Sequence, residues 1–149
     1  MTILTKSLLL TALSVINLSA CVLAEHEVKQ INSQAQDYQQ FQDNLKAAQE
    51  GDIEAQYNLG LDYFNGLRTE QNDLQALKWF APAAKAGHSG AQYYLGEFYL
   101  YGLATLEADQ EEALQWYQKA ATQGHQLAQI MVKQLTEIKS KPSSMNSSL

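Results

Sequence analysis

An all-α fold, built as a short stack of helical hairpins, is predicted by three features of this sequence. Residues 55–67 (AQYNLGLDYFNGL) and 91–103 (AQYYLGEFYLYGL) repeat one pattern 36 positions apart. Ala76-Leu77-Lys78-Trp79-Phe80 and Ala113-Leu114-Gln115-Trp116-Tyr117 recur at 37, each leading to an Ala-Ala pair and then to Gly-His. Apolar residues also fall at helical spacing, with Ala55, Leu59 and Tyr63 at i, i+4 and i+8. Two such helices in a hairpin cannot bury their apolar faces alone, so successive hairpins must stack into a solenoid.

Residues 1–20 hold no acid and one base, Lys6, ahead of an apolar run from Ser7 to Leu18. A permanent membrane span needs about 20 apolar residues, so this shorter run reads as an export signal. Two processing sites compete. Leu18-Ser19-Ala20-Cys21 has the form of a bacterial lipobox, whose cysteine is lipidated, while Val22-Leu23-Ala24 offers a small-x-small site for ordinary signal peptidase. Acyl chains on Cys21 would anchor the protein stably. By resemblance to enterobacterial lipoproteins, Val22 rather than Asp after the cysteine implies outer-membrane sorting. The expected address is periplasmic and outer-membrane-anchored, the alternative being a soluble periplasmic or secreted form.

Residues 21–36 are polar and Gln-rich without a strong apolar period, which predicts a tether. The solenoid is expected over 37–139. A lead-in helix occupies 37–46, full repeats lie at about 53–88 and 89–125, and a capping helix covers 126–139. Residues 140–149 (SKPSSMNSSL) offer little to bury and predict a disordered tail.

Within the repeats, Gly66 ends the first helix, and Gly87 and Gly124 end the second. Asn72 with Gln75, and Asp109 with Glu112, have capping-box spacing. Gly60 and Gly96 stand mid-helix, where glycine costs about 1 kcal/mol relative to alanine. They predict close helix approach, with Ala83-Ala84 and Ala120-Ala121 as the facing small surface. Trp79 and Trp116 are expected as equivalent core wedges, and Pro82 as a kink without a break. Lys133, Gln134 and Glu137 give the last helix a solvated outer side.

Ten basic against 16 acidic residues give a net charge of −6, which argues against a nucleic-acid binder, since that class needs a basic footprint. A single cysteine excludes an internal disulfide and a cysteine-based zinc site. Of His26, His88 and His125, the last two sit at equivalent positions after terminating glycines, as structural residues would. No H-E-x-x-H, P-loop, G-x-S-x-G or dinucleotide fingerprint occurs, and Glu111-Glu112 reads as exposed face and cap. No catalytic residue, metal or cofactor is therefore predicted.

The AQ-Y-x-L-G opening, the aromatic-Gly turn, A-L-x-W and A-A-x-x-G together resemble the Sel1-like repeat, a relative of the tetratricopeptide repeat. The resemblance implies a right-handed α-solenoid whose first helices line a concave groove. It also implies a non-enzymatic module that binds another protein there. It nominates Tyr57, Leu61, Phe64 and Asn65 in the first unit, and Tyr93, Glu97, Leu100 and Tyr101 in the second. Tyr57 and Tyr93 are typical of the family and serve either the groove or the packing. Leu61/Glu97, Phe64/Leu100 and Asn65/Tyr101 differ between units, and scaffold demands alone would keep them alike. Within this class the resemblance suggests an immunity protein against a type VI secretion lipase effector. An adaptor in envelope assembly or signalling is the alternative, and a hydrolase the third reading. Membrane contact is expected only through the N-terminal lipid, and the oligomeric state stays open.

Overall fold

The computed structural model describes the backbone of residues 3–140 and the side chains of residues 25–139. The expected lipidation at Cys21, the competing cleavage site and all of the expected tail at 140–149 except the helical Ser140 lie outside the described residues or side chains. Among the described residues six helices follow one another: α1 (Ile3–Gln49), α2 (Ile53–Asn65), α3 (Asp73–Lys85), α4 (Ser89–Tyr101), α5 (Gln110–Thr122) and α6 (Gln126–Ser140). No strand occurs among the described residues, and none of their helices is long and apolar enough to cross a membrane.

The chain divides into two units, 1–40 and 41–149. In the first, residues 25–40 are helical with every side chain exposed; the sequence predicts a tether as far as 36 and a helix only from 37. Gln, Glu, Lys and Ala are good helix formers, so the stretch is helical without a buried face. Val28, Ile31 and Tyr38 are among its exposed residues.

The second unit is an α-solenoid. α2–α3 and α4–α5 form two hairpins, α6 packs against α5, and Phe41 and Ala48 of α1 pack with Ala55 and Leu59 of α2. One set of contacts recurs at every joint between hairpins. Asp52, His88 and His125 cap the starts of α2, α4 and α6 by accepting from the backbone N–H of Ala55 (2.7 Å), Ala91 (3.1 Å) and Ala128 (3.3 Å). The amides of Gln56, Gln92 and Gln129 donate back to the carbonyls of Ala48 (3.2 Å), Ala84 (3.1 Å) and Ala121 (3.3 Å). The repeated Ala-Gln pair is thus a clasp on the preceding helix, satisfying a carbonyl that a helix end leaves without an intrahelical partner.

Asn72 and Asp109 cap α3 and α5 as predicted, accepting from the N–H of Gln75 (3.0 Å) and of Glu111 (2.8 Å) and Glu112 (3.0 Å). The reciprocal half of the capping box is replaced. The Asn72 and Asp109 N–H groups donate to the carbonyls of Tyr63 (2.8 Å) and Tyr99 (2.7 Å), which ties each loop to the helix before it. Glu112 Oε1 accepts instead from Trp116 Nε1 at 2.9 Å. α3 runs through Pro82 without a break.

Close approach at Gly60 and Gly96 is present, with a different partner from the one expected. A Cβ on Gly60 would lie 2.6 Å from the Phe80 ring, and one on Gly96 2.6 Å from the Tyr117 ring. Those rings, rather than the Ala-Ala pairs, fill the space beside the glycines. The wedges are therefore Phe80 and Tyr117, both fully buried, and not Trp79 and Trp116. Neighbouring helical residues point about 100° apart, so only one of two adjacent aromatics can face the glycine. Trp116 is nevertheless a core residue, buried in the cluster with Phe80 and Phe98, and Trp79 is half-buried against the cluster around Phe41 and Leu59. On α6 the glycine position is taken by Lys133, which is exposed and offers no flat seat for a further wedge.

Candidate functional site

Residues four apart on a helix share a face. Tyr57, Leu61 and Asn65 therefore align on α2, and Tyr93, Glu97 and Tyr101 on α4, flanked by Phe64 and Leu100. Asn65 and Tyr101 are exposed, while the other six are half-buried. Tyr57 stacks on His88 (centroids 4.2 Å apart, 28°), and Tyr93 on His125 (4.9 Å, 21°). The same Tyr–His stack thus joins each first helix to the start of the next hairpin. Phe64 packs among Phe80, Tyr94 and Phe98 at 6.3, 5.3 and 5.8 Å. Leu61 rests on the same cluster, and Leu100 on the one around Tyr117. The Asn65 amide donates to its own helix at Leu61 O (3.1 Å).

Charge is unevenly placed around these faces. Neither α2 nor α4 carries a Lys or Arg, whereas α3 and α5 carry Lys78, Lys85 and Lys119. Lys78 and Lys119 lie over the rings of Trp79 (5.4 Å) and Trp116 (3.6 Å). Glu97 Oε1 accepts a hydrogen bond from the Tyr117 hydroxyl at 2.6 Å. Burial first, then the charge and hydrogen-bond acceptance of Glu97, push the Tyr93 phenol up to about 12. Burial, and then the bond to Glu97, raise Tyr117 far above the usual phenol range. Tyr94 is raised by burial and then by Glu97. All three hydroxyls therefore remain protonated donors at neutral pH.

His88 and His125 present Nδ1 to backbone N–H groups as caps, and His88 Nε2 lies 3.0 Å from Glu54 Oε2. Among the described residues, no three His, Cys, Asp or Glu side chains gather as a metal-binding set. A separate cleft of about 190 Å³ between α5 and α6 is lined by Gln110, Glu111, Leu114, Leu135, Ile138 and Lys139.

Two features of this region escape the sequence reading. Tyr94 lies parallel to Phe80 (4.8 Å, 1°) and borders Tyr93. Its counterpart one repeat earlier is Asn58, and that exchange is the signal that could have marked it. Asp62 is fully buried on α2, with Oδ1 held by Arg68 at 2.6 Å, at the position occupied by Phe98 in the second unit.

Comparison with known proteins shows what this arrangement is similar to. The Sel1 repeat model matches residues 53–88 and 89–125. The crystal structure of a Sel1 repeat protein from Oxalobacter formigenes is 36% identical, with a TM-score of 0.59 over 66% of this chain and 73% of that one. A protective antigen present in uropathogenic Escherichia coli strains, displaying an SLR fold, is also 36% identical, with a TM-score of 0.57. That match covers 62% of this chain and 20% of the antigen. No curated protein sequence matches.

Proposed function

Because the chain belongs to the Sel1 repeat family, whose members are generally protein–protein interaction modules, we propose that it is a non-enzymatic binding protein of the bacterial cell envelope. It holds another protein along the faces of α2 and α4. One contrast carries the reading. The Gln clasp, the glycine seat and the Tyr–His stack are kept from unit to unit, whereas Leu61/Glu97, Phe64/Leu100 and Asn65/Tyr101 change on the same faces. Scaffold positions repeat because each joint has the same geometry. Positions released from that demand are available to a partner. Tyr101, 62% exposed, offers ring area and a directional hydroxyl, the combination favoured at binding hot spots.

The short apolar run at 7–18 and the Leu18–Cys21 sequence support an exported lipoprotein held at the outer membrane through Cys21, with a soluble periplasmic form as the alternative. Export, small size and acidity support a role as an immunity protein that neutralises a type VI secretion lipase effector. An adaptor in envelope assembly or signalling is the second reading.

Crosslinking and affinity capture from the native envelope, with mass spectrometric identification, separates these roles. A lipase effector supports the first, and envelope machinery the second. Binding of the identified partner to purified protein should weaken about tenfold in Tyr101→Ala, the effect of losing about 1.4 kcal/mol at a hot spot. Unchanged affinity in a variant with native circular dichroism would contradict binding along this face.

A further inference from the structure

Glu97 is the single charged residue among the eight on the aligned faces, and the repeat supplies an internal control for it. Its place is held by Leu61 in the first unit, and the wedge opposite changes in step, from Phe80 to Tyr117. The first unit shows that an apolar pair satisfies the packing, since Phe80 is fully buried and Leu61 rests on the same cluster. The second unit carries a half-buried carboxylate instead, and removing a carboxylate from water costs stability. What holds it is the Tyr117 hydroxyl at 2.6 Å. Among the described residues no Lys, Arg or His forms an ion pair with Glu97.

Aromatic rings border this carboxylate. Tyr93 and Tyr101 stand one turn before and one turn after it on the same face of α4, and Tyr94 lies three residues before it. The Tyr93 ring packs edge-on to Tyr94 (5.4 Å, 78°) and lies 5.7 Å from Tyr117. Tyr101 keeps the outer side open to solvent. A carboxylate held by a hydroxyl donor among phenol rings, in surroundings less polar than water, attracts a cation through its charge. An anionic group is repelled there, and a neutral apolar group would strip water from the carboxylate without supplying a counter-charge.

We propose that Glu97, with Tyr93, Tyr94 and Tyr101, forms a receptor for a cationic side chain, guanidinium or ammonium, of the bound protein. The inference rests on the reading of α2 and α4 as the binding face and adds the chemistry of the occupant: a segment bearing Arg or Lys. The surroundings agree, since α2 and α4 carry no competing base and the chain is acidic overall, 16 acids against 10 bases, which steers a basic partner toward it.

The test titrates full-length protein, with isotope-labelled tyrosine rings, against Nα-acetyl-arginine methylamide and its neutral isostere Nα-acetyl-citrulline methylamide. Saturable shifts at Tyr93 and Tyr101, with the arginine compound binding at least about fivefold more tightly, are expected from a charge-assisted contact. Glu97→Gln should bring the two compounds to equal affinity. The double variant Glu97→Leu with Tyr117→Phe, which copies the first unit's pair, should do the same while keeping the native helical spectrum. Equal binding of both compounds to the wild type, or discrimination that survives in either variant, overturns the receptor. Crosslinking of a partner through position 101 is read in parallel. If it succeeds while discrimination is missing, the cation site fails and the binding face stands. If discrimination is found and no partner is captured at 101, the cation site stands and the binding face fails.

Discussion

The ring of Tyr117 occupies the space in which a side chain on Gly96 would begin, its Cε1 lying 2.6 Å from that Cβ position. Phe80 and Gly60 repeat the relationship in the first hairpin. This explains why a helix interior keeps a residue with poor helix propensity. Gly96→Ala should gain about 1 kcal/mol of propensity and lose about 1–3 kcal/mol to overpacking. With a fully buried ring as the obstacle, the loss falls at the upper end of that range, about 2–3 kcal/mol, and a net destabilisation of about 1–2 kcal/mol is expected. Urea denaturation of the variant checks it, and a stability equal to or above wild type would show that the ring moves aside freely.

The Gln92 clasp is buried, 5% exposed, and its oxygen also accepts from Gln123 Nε2 at 2.7 Å. Gln92→Ala would remove this donor from the buried Ala84 carbonyl, which keeps the Gly87 N–H at 3.1 Å, an expected loss of about 0.5–1.5 kcal/mol. The equivalent Gln129 is exposed, so Gln129→Ala should cost less, since water can replace the lost bond. Denaturant midpoints of the two variants should differ in that order.

His125 titrates below its ordinary value of 6.5, first because burial disfavours the cation and then because His88 lies near. Its folded form therefore prefers the neutral ring, whose Nδ1 accepts from Ala128 N–H. The sign follows from proton binding. The unfolded chain takes up the proton more readily, so this stabilisation is complete above 6.5 and is lost as pH falls through the lower folded value. The urea midpoint should drop between about pH 7.5 and about pH 5, and His125→Asn, a cap that does not titrate, should show a smaller drop.

Lipidation rests on Cys21, the sole cysteine. Metabolic labelling with a fatty-acid analogue should mark the wild type and leave Cys21→Ser unmarked, with Cys21→Ser moving to the soluble fraction. An unmarked wild type would instead favour cleavage after Ala24.

The hairpin boundaries, the caps at Asn72 and Asp109 and the glycine stops were legible because each rests on a local signal repeated 36 or 37 residues later. The wedge was not legible. Trp79-Phe80 and Trp116-Tyr117 each place two aromatics side by side, and only the helix phase against Gly60 and Gly96 decides which one faces the glycine. The role of the histidines was half legible: equivalence marked them as structural, but the link to Asp52 as a third cap needs the geometry. Helical structure at residues 25–36 escaped because the reading sought an apolar stripe, and this stretch buries nothing. The Glu97–Tyr117 bond joins residues 20 apart on two helices, a distance over which spacing says nothing.

The most direct measurement of the binding face is site-specific photocrosslinking in living cells. A photoreactive amino acid is placed in turn at Asn65 and Tyr101 on α2 and α4, and at Lys78 and Gln115 on α3 and α5, followed by mass spectrometry of the adducts. Capture of one protein from 65 and 101, with none from 78 and 115, is the expected result. Capture from 78 and 115 alone would contradict binding through the faces of α2 and α4.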